Sequence, residues 1–472
     1  MAPAFWLIAI PIGFAPVVYL LRRVGVGAIV GAVITLILAG LVIWLPTGPV
    51  TSLLGRPVAF DAHSKAILAL LFAATAVLFL ILTLNSFIQE GRVGYFGKVT
   101  GQEGRVFYPA ALIILSLFVA ASLSAHLGIT AIFIQLAAIL MVFVIQTQRL
   151  ESTRASLRFL VLTSLATPVF LLAAWRIDLA QSTGLLTSGR VLNQVALLAG
   201  LGFAVWLAVI PFHGWLTGTA GESSPVTAAF VLISFPAIAF STFIKLLVDL
   251  PQLINVSFLI DGIIIAGLAT AFIGGLMASV QRGFSELMGY AALYNIGCIL
   301  TFLGVGQKAA VLAILVSLVV RALALTLIAL GTSVYYLRAT SDGFTYVQGM
   351  ARHMPVATAG LVLGGLTLAG VPFTPGFAPT WQLLMSMAEV DPRGVVLLVL
   401  GGLGVAVGYL RGLHATLQEG NKPPDRRTGV NLREPRLLVI LTAILCLGCL
   451  LVGLYPALLI EPLQQTVLLA GG

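Results

Sequence analysis

Charged residues are scarce in this chain. Only 9% of its 472 residues are Asp, Glu, Lys or Arg, whereas 60% are hydrophobic and the mean hydropathy is +1.10. Soluble domains carry about 25% charged residues. The composition therefore excludes a soluble core with a membrane anchor, and it predicts a single all-α integral membrane domain over residues 1–472.

Cysteine and histidine are also few, with three and five residues. Cys446 and Cys449 are one helical turn apart, which suits a disulfide or half of a metal site, but no further Cys or His is near in sequence to complete one. We favour small apolar packing roles for both, as for Cys298. A glycine-rich phosphate loop is missing, as is a nucleophile with its base, so we expect no metal, catalytic site or cofactor in this chain.

The net charge of +9 comes without a basic patch interleaved with aromatics, so we expect no nucleic-acid partner. Most Lys and Arg residues fall in loops after odd-numbered apolar segments, including Arg158 and the cluster from Lys422 to Arg436. Because basic residues concentrate in cytoplasmic loops, both termini are predicted on the non-cytoplasmic side of the cell (inner) membrane. Anionic lipids are expected partners of the basic loops.

Apolar runs long enough to cross the bilayer occur about fourteen times. Two are interrupted. In residues 202–231 a helix runs into Pro211 and a polar stretch that holds His213 and Glu222, and LAGVPFTPGFAPT at 368–380 contains three prolines. A helix broken at membrane depth is tolerated only against protein or a water-filled cavity, and transporters place their sites at such breaks.

An ionisable group inside a span is a functional candidate. Arg321 lies near the middle of an apolar run and needs an anion or carbonyl groups as partners; Asp261 and Glu286 are the acids in neighbouring predicted helices. A structural ion pair and a role in an ion path are both open. Because arginine keeps its proton, Arg321 is suited to setting the electrostatics of a path rather than relaying protons.

His213 follows the proline of the first break, and histidine titrates near neutral pH. It either carries protons or binds the carbonyls that the break frees. Glu222 stands where the next helix would begin, and a carboxylate is favourable at a helix N-terminus.

Other polar residues have simpler interpretations. Gln135 and Asn295 are uncharged and can be buried if their amides are paired. His126 is predicted at a boundary between two helices. Lys245 is predicted to reach the membrane surface beside Asp249.

Four stretches together resemble a known family: GLGFAVWLAVIPFHGW with GESSPVTAAF, LESTRASLRFLVLTSLAT, SELMGYAALYNIGCILTFLG and LTLAGVPFTPGF. The family comprises the antiporter-like proton-translocating subunits of respiratory NADH:quinone oxidoreductase (complex I), membrane-bound hydrogenases and multi-subunit Na+/H+ antiporters. Within this family, the sequence most resembles the N-type chain of complex I. The resemblance implies fourteen helices, broken helices 7 and 12, and two inverted five-helix repeats, which we place at residues 107–250 and 254–416.

The family also implies a mid-membrane row of a helix 5 glutamate and lysines on helices 7, 8 and 12. Aligned through the quoted motifs, these positions hold Gln135, Trp206, Phe235 and Thr380, so all four charges are replaced. A lysine buried without its carboxylate is an uncompensated charge. Joint replacement of the glutamate and the lysines avoids leaving such a charge. Arg321 stands where related L-type chains carry a lysine.

Two functions follow from this pattern. The favoured hypothesis is a largely structural subunit of a complex I-like proton-translocating complex, with a degenerate proton path and other membrane subunits as partners. The alternative is an active H+ or Na+ translocating subunit that uses His213 and Arg321, with Gln135, Asn295, Glu222 and Glu286 as further polar candidates. A stand-alone transporter is a weaker third possibility, and redox chemistry would belong to partner subunits.

Overall fold

The computed structural model describes residues 3–21, 26–53, 56–90, 97–146, 152–184, 188–306, 310–336, 339, 341–418 and 434–468. Most of the basic cluster between Lys422 and Arg436, on which the orientation argument draws, lies outside these residues.

The described chain consists of helices and one short hairpin. The helices are α1 Trp6–Leu20, α2 Val26–Trp44, α3 Ala62–Glu90, α4 Gly97–Leu123, α5 Leu127–Gln146, α6 Ser152–Thr183, α7 Gly189–Trp206, α8 Gly214–Glu222, α9 Pro225–Asp249, α10 Ser257–Val280, α11 Phe284–Val305, α12 Ala310–Tyr336, α13 Met350–His353, α14 Pro355–Ala369, α15 Phe377–Val390, α16 Pro392–Leu417, α17 Arg436–Leu454 and α18 Ala457–Leu468. Between α2 and α3, antiparallel strands β1 Gly48–Leu53 and β2 Arg56–Phe60 form the hairpin.

The all-α membrane fold is confirmed, with this hairpin as a local exception. Among the described residues, twelve helices are long and apolar enough to cross a membrane, and α1 and α14 are shorter apolar helices. The total of fourteen spans remains a prediction. Helices α9 and α11 are the most enclosed, each 83% buried over its span, so the core lies around them.

Glycines bring the central helices together. A Cβ at Gly275 of α10 would lie 2.0 Å from the carbonyl oxygen of Gly401 in α16, and one at Gly297 of α11 would lie 2.3 Å from the backbone nitrogen of Ala271. Because lipid offers no hydrophobic drive for helix association, such close backbone contact provides the packing energy. The α10–α11–α16 unit is therefore held by backbone proximity.

Helix ends are satisfied by polar side chains from other segments as well as by local caps. Ser224 accepts from the backbone N–H of Thr227 and precedes Pro225, a favourable start for α9. Glu434, just before α17, accepts from the backbone N–H of Ala357 at the start of α14 (2.8 Å). Burial raises the pKa of Glu434, although backbone hydrogen bonds act against this rise. These caps tie α14 to α17.

Both predicted breaks are present, between α7 and α8 and between α14 and α15. The backbone takes a left-handed conformation at Ala208 (φ 54°) and at Gly370 (φ 73°). The hydrogen bonds also correspond at a constant offset along the chain: Val209 N–H donates to the carbonyl of Ala204, as Val371 N–H does to that of Leu366. This correspondence supports the predicted repeats at 107–250 and 254–416, which stay a prediction.

We predict that Gly275→Ala destabilises the chain by about 1–3 kcal/mol, because the added methyl group cannot fit against the backbone of Gly401 without separating α10 from α16. The matched control is Gly262→Ala on the same helix, where an added Cβ meets nothing within 4 Å. Thermal unfolding of the full chain in mild detergent measures both. Equal melting temperatures for the two variants would contradict close α10–α16 packing.

Candidate functional site

Aromatic rings stand at Trp206 and Phe235, the two positions at which the family resemblance implies lysines on helices 7 and 8. Trp206 ends α7 and Phe235 lies in the middle of α9; both are fully buried, and their ring centroids are 6.2 Å apart. Trp206 also packs on Phe170 of α6 at 4.2 Å. The predicted absence of titratable groups at these two positions is thus accompanied by close aromatic packing.

More rings extend this packing across α6, α7, α8 and α9. Phe235 contacts Phe159 at 5.3 Å and Trp215 at 5.4 Å, both in edge-to-face geometry. The indole Nε1 of Trp215 donates to the backbone carbonyl of Val205 (3.0 Å). We call the following six residues the aromatic cluster: Phe159, Phe170, Phe203, Trp206, Trp215 and Phe235.

Two polar atoms beside the first break are buried without a hydrogen-bond partner among the described residues, Nε1 of Trp206 and Nδ1 of His213. His213 is half-buried and directly precedes α8. The alternative in which its imidazole binds carbonyls freed by the break is therefore not supported by any hydrogen bond among the described residues. The break closes instead through backbone hydrogen bonds and through the N–H of Ile210, which donates to Oγ1 of Thr270 in α10.

Gln135, at the helix 5 glutamate position, is paired on both sides of its amide. Its Nε2 donates to Oγ of Ser164, and its Oε1 accepts from Oγ1 of Thr167, both at 2.8 Å. Because Ser164 and Thr167 are on α6, the amide joins α5 to α6. Gln135 is thus a polar helix–helix contact.

Thr380, at the helix 12 lysine position, lies in the first turn of α15. A Cβ at Gly370 would be 2.5 Å from its Oγ1, so the absence of a side chain at Gly370 lets the threonine pack against the second break. Gly370 also has the positive φ that glycine adopts without strain. A short side chain at position 380 suits this tight corner.

Arg321 of α12 is 1% exposed and is held by oxygen atoms of two other helices. Its Nε and one terminal nitrogen donate to the carbonyl of Leu232 in α9 (3.2 and 3.1 Å). Its other terminal nitrogen donates to the carbonyl of Ala292 (2.7 Å) and to Oδ1 of Asn295 (3.1 Å) in α11. The guanidinium therefore joins α12 to α9 and α11.

Leu232 was not among the sequence candidates, although the chain contains a signal for it. Pro236 lies inside α9, four residues after Leu232. Proline has no N–H and cannot donate to the carbonyl four residues earlier, so that carbonyl needs another donor. Pro236 thus creates the acceptor that Arg321 binds twice.

The predicted acidic partners of Arg321 are wrong. Arg321 forms no ion pair within 4.0 Å in the described chain, and the carbonyl alternative applies. Asp261 and Glu286 are exposed near the starts of α10 and α11. Glu286 lies close to Gly221 at the end of α8, since an added Cβ there would be 3.4 Å from its Cγ. Both acids therefore lie at helix ends rather than beside the buried guanidinium.

Glu222 does bind a helix N-terminus, but not that of the next helix. It is the last residue of α8, and Ser224 caps α9. Its Oε2 accepts from the backbone N–H of Ala155 in the first turn of α6 (2.8 Å), and its Oε1 lies 3.7 Å from a guanidinium nitrogen of Arg158. The sequence predicts correctly that this carboxylate binds a helix N-terminus. It does not identify α6, which is distant in sequence, as that helix.

His126 lies between α4 and α5, as predicted. Its Nε2 is 3.0 Å from Oδ2 of Asp178 near the end of α6, and its Nδ1 accepts from the backbone N–H of Ile129 (3.3 Å). The ring therefore caps α5 and binds α6.

Lys245 pairs with an acid that is distant in sequence. Its Nζ is 3.3 Å from Oδ2 of Asp61 and donates to the carbonyls of Ser122 and Ser124 at the end of α4 (3.1 and 2.9 Å). Asp249 is exposed one turn further along α9. Because helix C-termini favour cations, the ammonium is stabilised there.

No group of three or more His, Cys, Asp or Glu side chains suitable for a metal was found in the described part of the chain. All three cysteines are free thiols, and Sγ of Cys449 lies 3.4 Å from Oγ1 of Thr367.

Comparisons with known proteins agree with this architecture. The family described as NADH:quinone oxidoreductase/Mrp antiporter, TM matches residues 123–405. NADH-quinone oxidoreductase subunit N of Rhodospirillum rubrum is 25% identical over 70% of this chain and 71% of that protein. Formate hydrogenlyase subunit 3 of Escherichia coli is 29% identical over 46% of this chain, and the match spans only 37% of that longer protein.

Solved structures share the fold. A chain of the membrane-bound sulfane sulfur reductase, an archaeal respiratory membrane complex, superposes with a TM-score of 0.83 at 18% identity, covering 98% of this chain and 97% of that one. A chain of the Mrp complex from Dietzia sp. gives 0.80 at 17% identity, covering 98% and 96%. The family match extends over more than half of the sequence and includes both breaks, so this chain belongs to the NADH:quinone oxidoreductase/Mrp antiporter transmembrane family.

Proposed function

We propose that this antiporter-like subunit is a largely structural, non-conducting member of a multi-subunit ion-translocating membrane complex. The aromatic cluster carries the proposal. All six of its rings are 0–1% exposed, and two of them occupy family positions for proton-carrying lysines.

Proton transfer needs groups that both accept and donate, or a chain of water. Phenylalanine has no polar atom, and indole nitrogen is a donor only. The rings of Trp206 in α7 and Trp215 in α8 both pack against that of Phe235 in α9, so a chain of water through this layer would have to displace close-packed aromatic contacts. The paired amide of Gln135 offers no titratable group either.

The relatives indicate the setting. Because similar proteins are named as subunits of NADH-quinone oxidoreductases and of a formate hydrogenlyase, we infer that other membrane subunits are the partners of this chain. In this proposal electron transfer and any cofactor belong to those partners, and the chain resides in the cell (inner) membrane with both termini on the non-cytoplasmic side. Lipids are further partners, and nucleic acid is not.

A second candidate function is active H+ or Na+ translocation through His213 and Arg321. The unpartnered nitrogens of His213 and Trp206 favour it, because buried polar atoms are commonly paired through internal water. In this candidate function, Arg321 sets the electrostatic potential of the ion path, and water takes the place of the missing lysines.

Proton pumping by the purified complex in liposomes separates the two functions. We expect His213→Ala and Trp206→Phe to leave the pumping rate unchanged, because no proton passes these nitrogens. His414→Ala, at an exposed position on α16, serves as the control. A loss of pumping in either test variant, with complete assembly and an unaffected control, would establish the translocating function instead.

The role of Arg321 is tested by a double-mutant cycle. We expect Arg321→Met to destabilise the chain by about 2–3 kcal/mol, because it leaves the carbonyl of Leu232 unpaired. Pro236→Ala in that background should recover about 1 kcal/mol, since it supplies the missing helical N–H.

Pro168→Ala, a proline substitution in α6 away from Arg321, is the matched control and should not rescue Arg321→Met. Thermal unfolding in detergent provides the measurement. Strictly additive effects of Arg321→Met and Pro236→Ala would show that the carbonyl of Leu232 is not the acceptor on which Arg321 depends.

A further inference from the structure

A cleft lies where α4, α6 and α9 end and α5 begins. Its volume is about 250 Å³, and its lining combines two acids and a lysine with apolar side chains. Gln181 and Asp249 are exposed at its edge, so the cleft opens to the surface. By the predicted topology, this is the non-cytoplasmic end of these helices. Since a water molecule takes up roughly 30 Å³ of liquid, the cleft is too large for a single bare ion and has room for a small polar group.

Negative charge is in excess in this cleft. Asp178 and Asp249 contribute one carboxylate each, and Lys245 is the only Lys or Arg among the described residues of the lining. The ammonium of Lys245 is already paired with Asp61 and with two carbonyls at the end of α4. Helices α6 and α9 also end here, and a helix C-terminus carries a partial negative charge. The cleft therefore favours a cationic ligand.

The lining also indicates which kind of cation fits. Quaternary ammonium groups are recognised by cages of aromatic rings. The described residues that line the cleft include no Phe, Tyr or Trp. A primary ammonium group instead donates three hydrogen bonds. Acceptors for such donors are the carboxylates of Asp178 and Asp249 and the amide oxygen of Gln181, so the cleft suits a primary rather than a methylated ammonium.

The surroundings of the cleft match an amphiphile. Its apolar lining consists of Leu127, Ala174, Ile177, Leu246 and Leu250. Trp175, next to this lining on α6, is 55% exposed, and exposed tryptophans are enriched at the level of the lipid headgroups. The guanidinium carbon of Arg176 lies 5.1 Å from the centroid of this ring, which places a cation suited to a phosphate at the same level. A lipid with an ammonium group, a phosphate and acyl chains meets all of these features.

We propose that this cleft binds the headgroup of an ethanolamine phospholipid, with Asp178 and Asp249 accepting hydrogen bonds from its ammonium group. The site differs from the basic loops, for which anionic lipids are expected, because it selects a headgroup by its N–H donors. It involves no passage of ions through the membrane, so it is independent of whether the aromatic cluster conducts.

Photo-crosslinking locates and measures this binding. The probe is phosphatidylethanolamine with a diazirine near the glycerol end of one acyl chain, added to the full chain with its co-purifying subunits in detergent. We expect labelling of peptides that contain residues 124–130, 174–181 or 242–250. Unlabelled phosphatidylethanolamine should suppress this labelling at a several-fold lower concentration than phosphatidylcholine with the same acyl chains. N-methyl and N,N-dimethyl lipids should fall between them in that order, because each methyl group removes one N–H donor.

Asp249→Asn tests the contribution of the lining. It should raise the concentration of phosphatidylethanolamine needed for suppression roughly two- to fivefold, because it removes one charge at a partly hydrated site. Asp178→Asn should act in the same direction. The matched control is Asp261→Asn, since this acid is also exposed, near the start of α10, and does not line the cleft. It should leave the competition unchanged.

The methylation series uses the wild-type chain, so it tests the site even where a variant fails to assemble. Equal competition by phosphatidylethanolamine and phosphatidylcholine would overturn the proposal, as would equal effects of Asp249→Asn and Asp261→Asn. Suppression by free phosphoethanolamine at the same concentration as the lipid would assign the cleft to a soluble amine and overturn the lipid assignment.

Discussion

Backbone polar groups inside a membrane have no water to bind, and this requirement organises the centre of the molecule. Pro236 leaves the carbonyl of Leu232 without its helical donor, and Arg321 reaches from α12 to supply two N–H groups. The guanidinium needs acceptors as much as the carbonyl needs donors, and Ala292 and Asn295 on α11 provide them. These hydrogen bonds together fix α9, α11 and α12 relative to one another.

This arrangement explains how a positive charge persists without a carboxylate. Carbonyl dipoles can stabilise a buried cation when several converge with good geometry, and here two carbonyls and one amide oxygen do so. A lysine has three donors on a flexible stem, whereas the planar guanidinium matches oxygens on two helices at once. The guanidinium of Arg321 is therefore a buried charge that neutral oxygens hold without a carboxylate.

Sequence reasoning predicted the fold to the extent that local patterns determine it. Apolar runs and prolines predicted the membrane helices and both breaks, whereas the assignment of Trp206 and Phe235 to family lysine positions rests on the motif alignment and stays a prediction. Contacts between distant segments were missed: Glu222 caps α6 rather than α9, and Lys245 binds Asp61, to which the sequence did not point. The packing of the helices decides which helix end such a side chain reaches, and the spacing of residues along the sequence does not reveal this packing.

The distribution of charge differs between the middle of the membrane and the ends of the helices. Within the described chain, Arg321 is held in the buried middle by neutral oxygens, while the ion pairs of Glu222 and Lys245 and the hydrogen bond between His126 and Asp178 join helix ends. A charge at a helix end keeps partial hydration and gains from the helix dipole, so it costs far less than a charge at mid-membrane. In the proposed non-conducting subunit, close aromatic packing fills the layer where the resemblance implies charged side chains.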